Sequence, residues 1–194
     1  MKLTYEILPA DQAVQCRELC NELMIYQKSK AVIKPELFNT MNFETRMLPS
    51  IESALHNHLV AVKDGDEMIG YVYTNVSPKT AYSNDFATFF DLNSVSGDQV
   101  GCLSQFYIKD GYRQYGIGSK LFEMSMEWLR QFNQVEDLFI YVSNGNKNAL
   151  EFYQRKGFVV THDILGGFIT VLRNRKCRKN PAVGSFQKST YLLN

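Results

Sequence analysis

Cysteine is scarce in this chain of 194 residues. Cys16, Cys20, Cys102 and Cys177 are the whole set, with no Cys-x-x-Cys pair and no Cys/His cluster at metal-ligand spacing. That argues against a disulfide framework and against a metal site. Cys16 and Cys20, one helical turn apart, suit reduced, half-buried positions. Long apolar runs are missing too: nothing approaches the roughly 20 apolar residues that span a bilayer. The opening MKLTYEILPADQ lacks the apolar core of a signal peptide, so the cytoplasm is the expected location and no membrane partner is expected. Neither sign of charge is in excess, with 21 Lys and Arg against 20 Asp and Glu. Such a balance selects neither nucleic acid nor an anionic lipid surface, so any anion site must be local. His56, His58 and His162 stand apart from any evident partner and are assigned no chemistry, and no internal repeat is visible.

What is present is ordinary globular composition, 45% hydrophobic and 21% charged, in a length that suits one domain over residues 1–194. KLTYEIL alternates as a first strand. Val14, Leu19, Leu23 and Met24 then recur at helical spacing, with Asp11 placed to cap. A second helical region over 34–57 is interrupted by Pro49. HLVAVKDGDEMIGYVYTNV gives two β-rich runs about Asp64, Gly65 and Asp66, a hairpin signal. Residues 77–99 carry Phe86, Phe89 and Phe90 without a period and form an ordered insertion or a mobile flap. VGCLSQFYI reads as a strand covered on both faces. A turn, the helix GSKLFEMSMEWLRQF, the strand DLFIYVS, the helix NKNALEFYQRK and strands from FVV and FITVL follow. This order is an α/β pattern with a central sheet. The basic run 173–179 reads as a charged strand end.

The stretch RQYGIGSKLF, Arg113 to Phe122, sits between a strand and a helix. Free N–H groups and the dipole at a helix N-terminus attract anions. A Cβ at Gly116 or Gly118 would hold a phosphate away from them, Arg113 adds a forked cation, and Ser119 adds a hydroxyl. A structural turn is the competing reading. The Ser–Lys order of GIGSK is wrong for a P-loop, and Leu121 stands where a dinucleotide fingerprint needs a third glycine. A nucleotide-binding protein is therefore disfavoured.

FYIKDGYRQYGIGSKLFEMSMEWL followed by YVSNGNKNALEFYQRKGF resembles the acetyl-CoA-binding core of the GNAT superfamily of N-acyltransferases. The likeness lies in Arg113, Gly116 and Gly118 of the Arg/Gln-x-x-Gly-x-Gly/Ala loop, and in Asn146, Ala149 and Tyr153 of the Asn-x-x-Ala-x-x-x-Tyr helix. It covers residues 100–160. It implies a single α/β domain with a mixed, twisted, partly splayed sheet of about six or seven strands flanked by helices. It also implies acetyl-CoA as acyl donor, a primary amine as acceptor, and no metal. Phe106 and Ile108 would offer backbone groups to the acyl carbonyl and pantetheine. Gln114, Tyr115, Gly116, Ile117, Gly118 and Ser119 would wrap the pyrophosphate, with Arg113 at its edge. Asn146 would hold the pantetheine arm, and Tyr153 would protonate the leaving thiolate. Read without the resemblance, Tyr153 is a core aromatic and Asn146 a helix cap.

One departure bears on mechanism. Many members carry an acid as general base on the strand before the loop or on the next one, where this chain has Ser104, Gln105 and Tyr141. A water relay, Asp91 or Asp98 of the insertion, or uptake of a neutral amine are the alternatives. The second expectation for function is an acyl-CoA-binding sensor with little turnover. The acceptor side is assigned to the N-terminal helices and residues 77–99, with Tyr26, Phe38, Phe43, Arg46, Tyr82, Phe86, Phe89 and Phe90 as lining. The resemblance leaves room for a homodimer.

Overall fold

The computed structural model describes residues 1–175; Cys177 and the rest of the basic run lie outside them. A seven-stranded sheet runs in the order β1-β2-β3-β4-β5-β7-β6. Its strands are β1 (Leu3–Leu8), β2 (His56–Asp64), β3 (Glu67–Pro78), β4 (Gln99–Ile108), β5 (Asp137–Ser143), β6 (Val159–Ile164) and β7 (Ile169–Arg175). All neighbours are antiparallel except β4 and β5. The hairpin expected at Asp64–Asp66 joins β2 to β3, with Gly65 at φ +60°.

Alternation along the strands sorts two cores, one on each face. Leu59, Ala61, Tyr71, Tyr73 and Phe139 point to the face covered by helix α1 (Arg17–Lys30) and the insertion. Val60, Val62, Val72, Ile140 and Val142 point to the face covered by helices α3 (Ile117–Leu129) and α4 (Lys147–Arg155). The short helix α2 (Leu48–Ser53) lies before β2, and Pro49 sits in its first turn, where a missing N–H costs nothing. Directly before it, Phe43–Met47 forms one π-helical turn, opened by a reciprocal cap between Asn42 and Thr45.

Several local expectations change. Residues Ala10–Cys16 form a 3-10 helix rather than the start of α1, and Asp11 makes no capping bond. A three-residue turn brings Ala13 and Cys16 inward together and leaves Val14 half exposed. Cys16 and Cys20 are fully buried rather than half-buried, Cys102 is buried as well, and all three are free thiols.

The 77–99 segment is ordered. It holds a 3-10 turn at Lys79–Tyr82, a bridge between Ser83 and Thr88, and buried Phe89, Phe90 and Val95. Its end is fastened by the buried Asp137 carboxylate, which accepts from Ser96 N at 3.0 Å and pairs with Arg173 at 2.7 Å and Arg175 at 3.2 Å. Arg173 lies at the charged end of β7, as expected, and there it also anchors the insertion.

Candidate functional site

β4 and β5 pair only through Gly101–Leu138, Cys102–Phe139 and Leu103–Ile140. Beyond that point β4 keeps β3 as its one neighbour and β5 keeps β7. The split coincides with a bulge: Tyr73 faces Gln105 but Thr74 faces Leu103, which leaves Ser104 unpaired. A bulge bends its strand and ends regular pairing. The inner edges of Ser104–Ile108 and Tyr141–Ser143 therefore line a cleft of about 770 Å³. Backbone groups on such edges need a partner, and an extended, amide-bearing ligand supplies one.

One mouth of the cleft is the start of α3. Gly116 caps it at φ +75°, a left-handed conformation that a side chain would strain. Lys120 N makes the first intrahelical bond, to Gly116 O, so the earlier N–H groups of the turn have no helical partner. Gly118 differs in kind. A Cβ there would meet Ile108, Phe106 and Phe152 only at ordinary contact distances of 3.6 to 4.0 Å. Packing does not demand glycine at 118. Ser119 and Gly118 line the cleft, whereas Gln114 and Tyr115 are exposed beside it and the Ile117 side chain is buried in the core below. Ile117 can therefore face the cleft mouth only through its backbone.

Arg113 is held tightly. Its Nε donates to Ile108 O at 2.9 Å, its Nη1 pairs with Asp110 at 2.8 Å, and its guanidinium lies 4.2 Å from the Tyr26 ring centre. Lys156, which sequence reasoning passed over, brings its ammonium to 3.4 Å from Ser119 Oγ and over the Phe122 and Phe152 rings. Being the residue just past α4, it carries no motif signal.

Asn146 caps α4, accepting from Ala149 N at 3.4 Å, and also lines the cleft. Its amide nitrogen has no partner among the described residues. Tyr153, buried but open to the cleft, packs against Phe122 and Phe152. Its hydroxyl has no hydrogen-bond partner among the described residues. Burial, with a smaller contribution from the Cys102 thiol, raises its pKa above the ordinary phenol value. At neutral pH it is an O–H donor.

Aromatic rings line the rest of the cleft. Tyr26, Phe38, Tyr82, Phe86 and Phe89 line it together with Arg46, as expected. Phe43 and Phe90 do not: Phe43 is buried in the core, and Phe90 stacks on Phe139 at 4.2 Å. No carboxylate lines the cleft among the described residues. Asp91 is occupied in capping Asn93 N, and Asp98 points to solvent beside Lys79. Neither insertion acid reaches the chemistry. Gln105, where an acid was sought, is a clamp whose Oε1 accepts from Tyr71 at 2.6 Å and Cys20 at 3.2 Å. The histidines stay outside the cleft; His58, for example, stacks on Trp128 at 5.0 Å.

A profile of the Acetyltransferase (GNAT) family matches residues 25–158. The chain belongs to this family. Among curated proteins, the probable N-acetyltransferase san of Drosophila melanogaster is 34% identical over 61 residues, 31% of this chain and 30% of that protein. The chain thus matches under a third of that relative's length. Two solved structures share the fold. PaiA N-acetyltransferase of Thermoplasma acidophilum, solved with coenzyme A, superposes at a TM-score of 0.63 with 16% identity, covering 90% of this chain and 99% of that one. NAA60 of Arabidopsis thaliana, solved with acetyl-CoA, gives 0.57 with 12% identity, covering 90% and 99%. The seven-stranded mixed sheet with flanking helices is the GNAT fold. Among the described residues no group of His, Cys, Asp and Glu is arranged to hold a metal, and no helix is long and apolar enough to cross a membrane.

Proposed function

We propose that the protein transfers an acetyl group from acetyl-CoA to a primary amine by direct attack on the thioester. The carrying observation is the pair of unpaired half-strands beside a glycine-led helix N-terminus, within a GNAT chain. Residues 100–160 form the donor half. The pyrophosphate lies over the backbone of Gln114 to Ser119, including Tyr115, Gly116, Ile117 and Gly118, with Arg113 at its edge and Lys156 adding charge beside Ser119. The pantetheine amides pair with the β4 edge from Phe106 to Ile108 and with Asn146. The N-terminal helices and residues 77–99 form the acceptor half.

In the chemical step the amine nitrogen bonds to the thioester carbonyl carbon, and donors on the bulged β4 backbone stabilise the oxyanion. The C–S bond then breaks, and the Tyr153 hydroxyl gives its proton to the departing thiolate. The proton released by the new amide's nitrogen goes to water and restores the phenol. With no carboxylate lining the cleft among the described residues, the amine enters neutral or loses its proton to water. A reducing compartment such as the cytoplasm suits the three free thiols.

The test is calorimetry with CoA beside an amine panel read by free CoA release. Binding together with amine-dependent release supports the enzyme. The missing base favours one other reading, a CoA-binding sensor, which tight binding without release from any amine would establish instead.

A further inference from the structure

We propose that the acceptor amine also carries a carboxylate, and that Arg46 recognises it. This deepens the acetyltransferase reading and rests on it.

Three arginines, and no acids, supply the charge of the cleft lining among the described residues. Arg113 pairs with Asp110 at 2.8 Å, and Arg155 lies 3.7 Å from Glu151. Arg46 alone has no carboxylate partner among the described residues. The acid on its own turn, Glu44, pairs with Arg17 at 2.9 Å. The guanidinium instead lies 5.5 Å from the centre of the Phe86 ring and near the thiols of Cys20 and Cys102. Burial keeps both thiols protonated, so neither cancels the charge, and burial likewise lowers the pKa of Arg46 itself.

A half-buried cation without an anion is a cost to the free protein. The backbone that carries it is nonetheless held in place. Arg46 sits within the π-helical turn, which is held by the Asn42–Thr45 cap at one end and by Ser50 Oγ donating to Arg46 O at 2.9 Å. A ligand carboxylate would relieve the cost, since the planar guanidinium fork matches its two oxygens. The same charge disfavours polyamines and other polycations, which would bring like charge into an aromatic chamber.

Arg46, Cys102 and Tyr153 line the same cleft. A molecule whose amine meets the thioester beside Tyr153 can therefore extend through one chamber to set an anion at Arg46. An amino acid with an apolar or aromatic side chain carries both groups, and the Phe38, Tyr82 and Phe86 rings would receive that side chain.

The experiment compares amines that differ only in the carboxylate: phenylalanine with phenethylamine, tyrosine with tyramine, and ornithine with putrescine. In the parent, kcat/KM for CoA release is expected to favour the carboxylated member of the best pair by about 10- to 1000-fold, as for a site left with an unpaired polar group by the wrong substrate. Arg46→Met is expected to bring that pair to within about threefold through loss on the carboxylated member, with CoA affinity and melting temperature kept, because it removes an unpaired charge from a half-buried position. Arg46→Lys keeps the charge without the fork and should fall between. Equal or better use of the decarboxylated amines by the parent overturns the proposal, as does an equal loss on both members in Arg46→Met.

Binding separates this idea from the activity on which it rests. Calorimetry with 3-phenylpropionate and CoA-loaded protein should show a complex in the parent and none in Arg46→Met. If that complex forms while no amine releases CoA, the anion site stands and the transfer reading fails. If CoA release is robust but 3-phenylpropionate never binds, the anion site fails and transfer stands.

Discussion

Leu103 on β4 and Ile140 on β5 are the last residues that face each other before the two strands part. Everything chemical in the molecule depends on that separation, because it leaves two strand edges open inside the sheet. The gap has a buttress. Asn144, just past β5, accepts from Val32 N at 2.7 Å and Ile33 N at 2.8 Å and donates to Ile33 O at 2.9 Å. It thereby ties the far strand to the segment leaving α1, across the opening.

Gly145 makes the tie possible. It sits at φ +80°, and a Cβ on it would run into the Lys30 carbonyl. Gly145→Ala therefore combines left-handed strain with a backbone clash that no rotamer relieves. A loss of about 2 to 4 kcal/mol is expected, together with weaker CoA binding as the cleft loses its width. Urea unfolding and CoA calorimetry check both; an unchanged midpoint would show that α1 is held by other means.

Gly118→Trp should do the opposite. Its Cβ has room, so the fold is kept, while the indole fills the groove above the helix end. CoA affinity is expected to fall by about 100-fold or more, roughly the loss of several charge-assisted hydrogen bonds, with the melting temperature nearly unchanged. Full CoA affinity in this variant would remove the phosphate cradle from the proposal.

Local chemistry explains what was legible in the sequence. A glycine with positive φ before a helix, an Asn at the next helix cap and alternation along β-branched runs are written into single short segments, and Gly116, Asn146 and the seven strands follow. The insertion was not legible in this way. Phe86, Phe89 and Phe90 look alike in sequence, yet Phe86 and Phe89 line the cleft while Phe90 stacks on Phe139, a partition decided by a distant strand. Arg173 was similarly opaque, because its meaning lies in Asp137, 36 residues away. Val14 failed for a different reason: helical spacing was read through a segment with three residues per turn, which shifts the phase of everything before Arg17.

The buried thiols make stability sensitive to alkali. Burial pushes Cys16 and Cys102 up to about 12 and Cys20 up to about 11, from 9.0. Below the unfolded value both states hold these protons and stability is full. Above it the unfolded chain releases them first, so stability falls as pH rises from about 9 towards 12, each thiol steepening the fall by about 1 kcal/mol per pH unit. Melting temperature should be flat from pH 7 to about 8.5 and then decline. Cys16→Ala should decline less steeply. A parent curve that stays level to pH 10.5 would contradict this, the alkaline limit being about one to two units above the unfolded thiol value.

Tyr153 tests the chemistry itself. Its ring packs against Phe122 and Phe152, but its hydroxyl has no protein partner among the described residues, so Tyr153→Phe removes an oxygen and little else. Burial holds the phenol protonated well beyond neutral pH, which is the state a proton donor needs. If it protonates the leaving thiolate, its contribution grows only as the sulfur gains charge, and the variant should lose kcat while CoA affinity holds. A fall of about 10- to 1000-fold is expected, within the span of general acid catalysis, with a melting temperature close to the parent's. The pH profile adds a second reading: because the phenol stays protonated, kcat should not turn down below about pH 10, the ordinary tyrosine value. Parent-like turnover in Tyr153→Phe would show that the thiolate leaves without it, and a large drop in melting temperature would show that the hydroxyl serves the core.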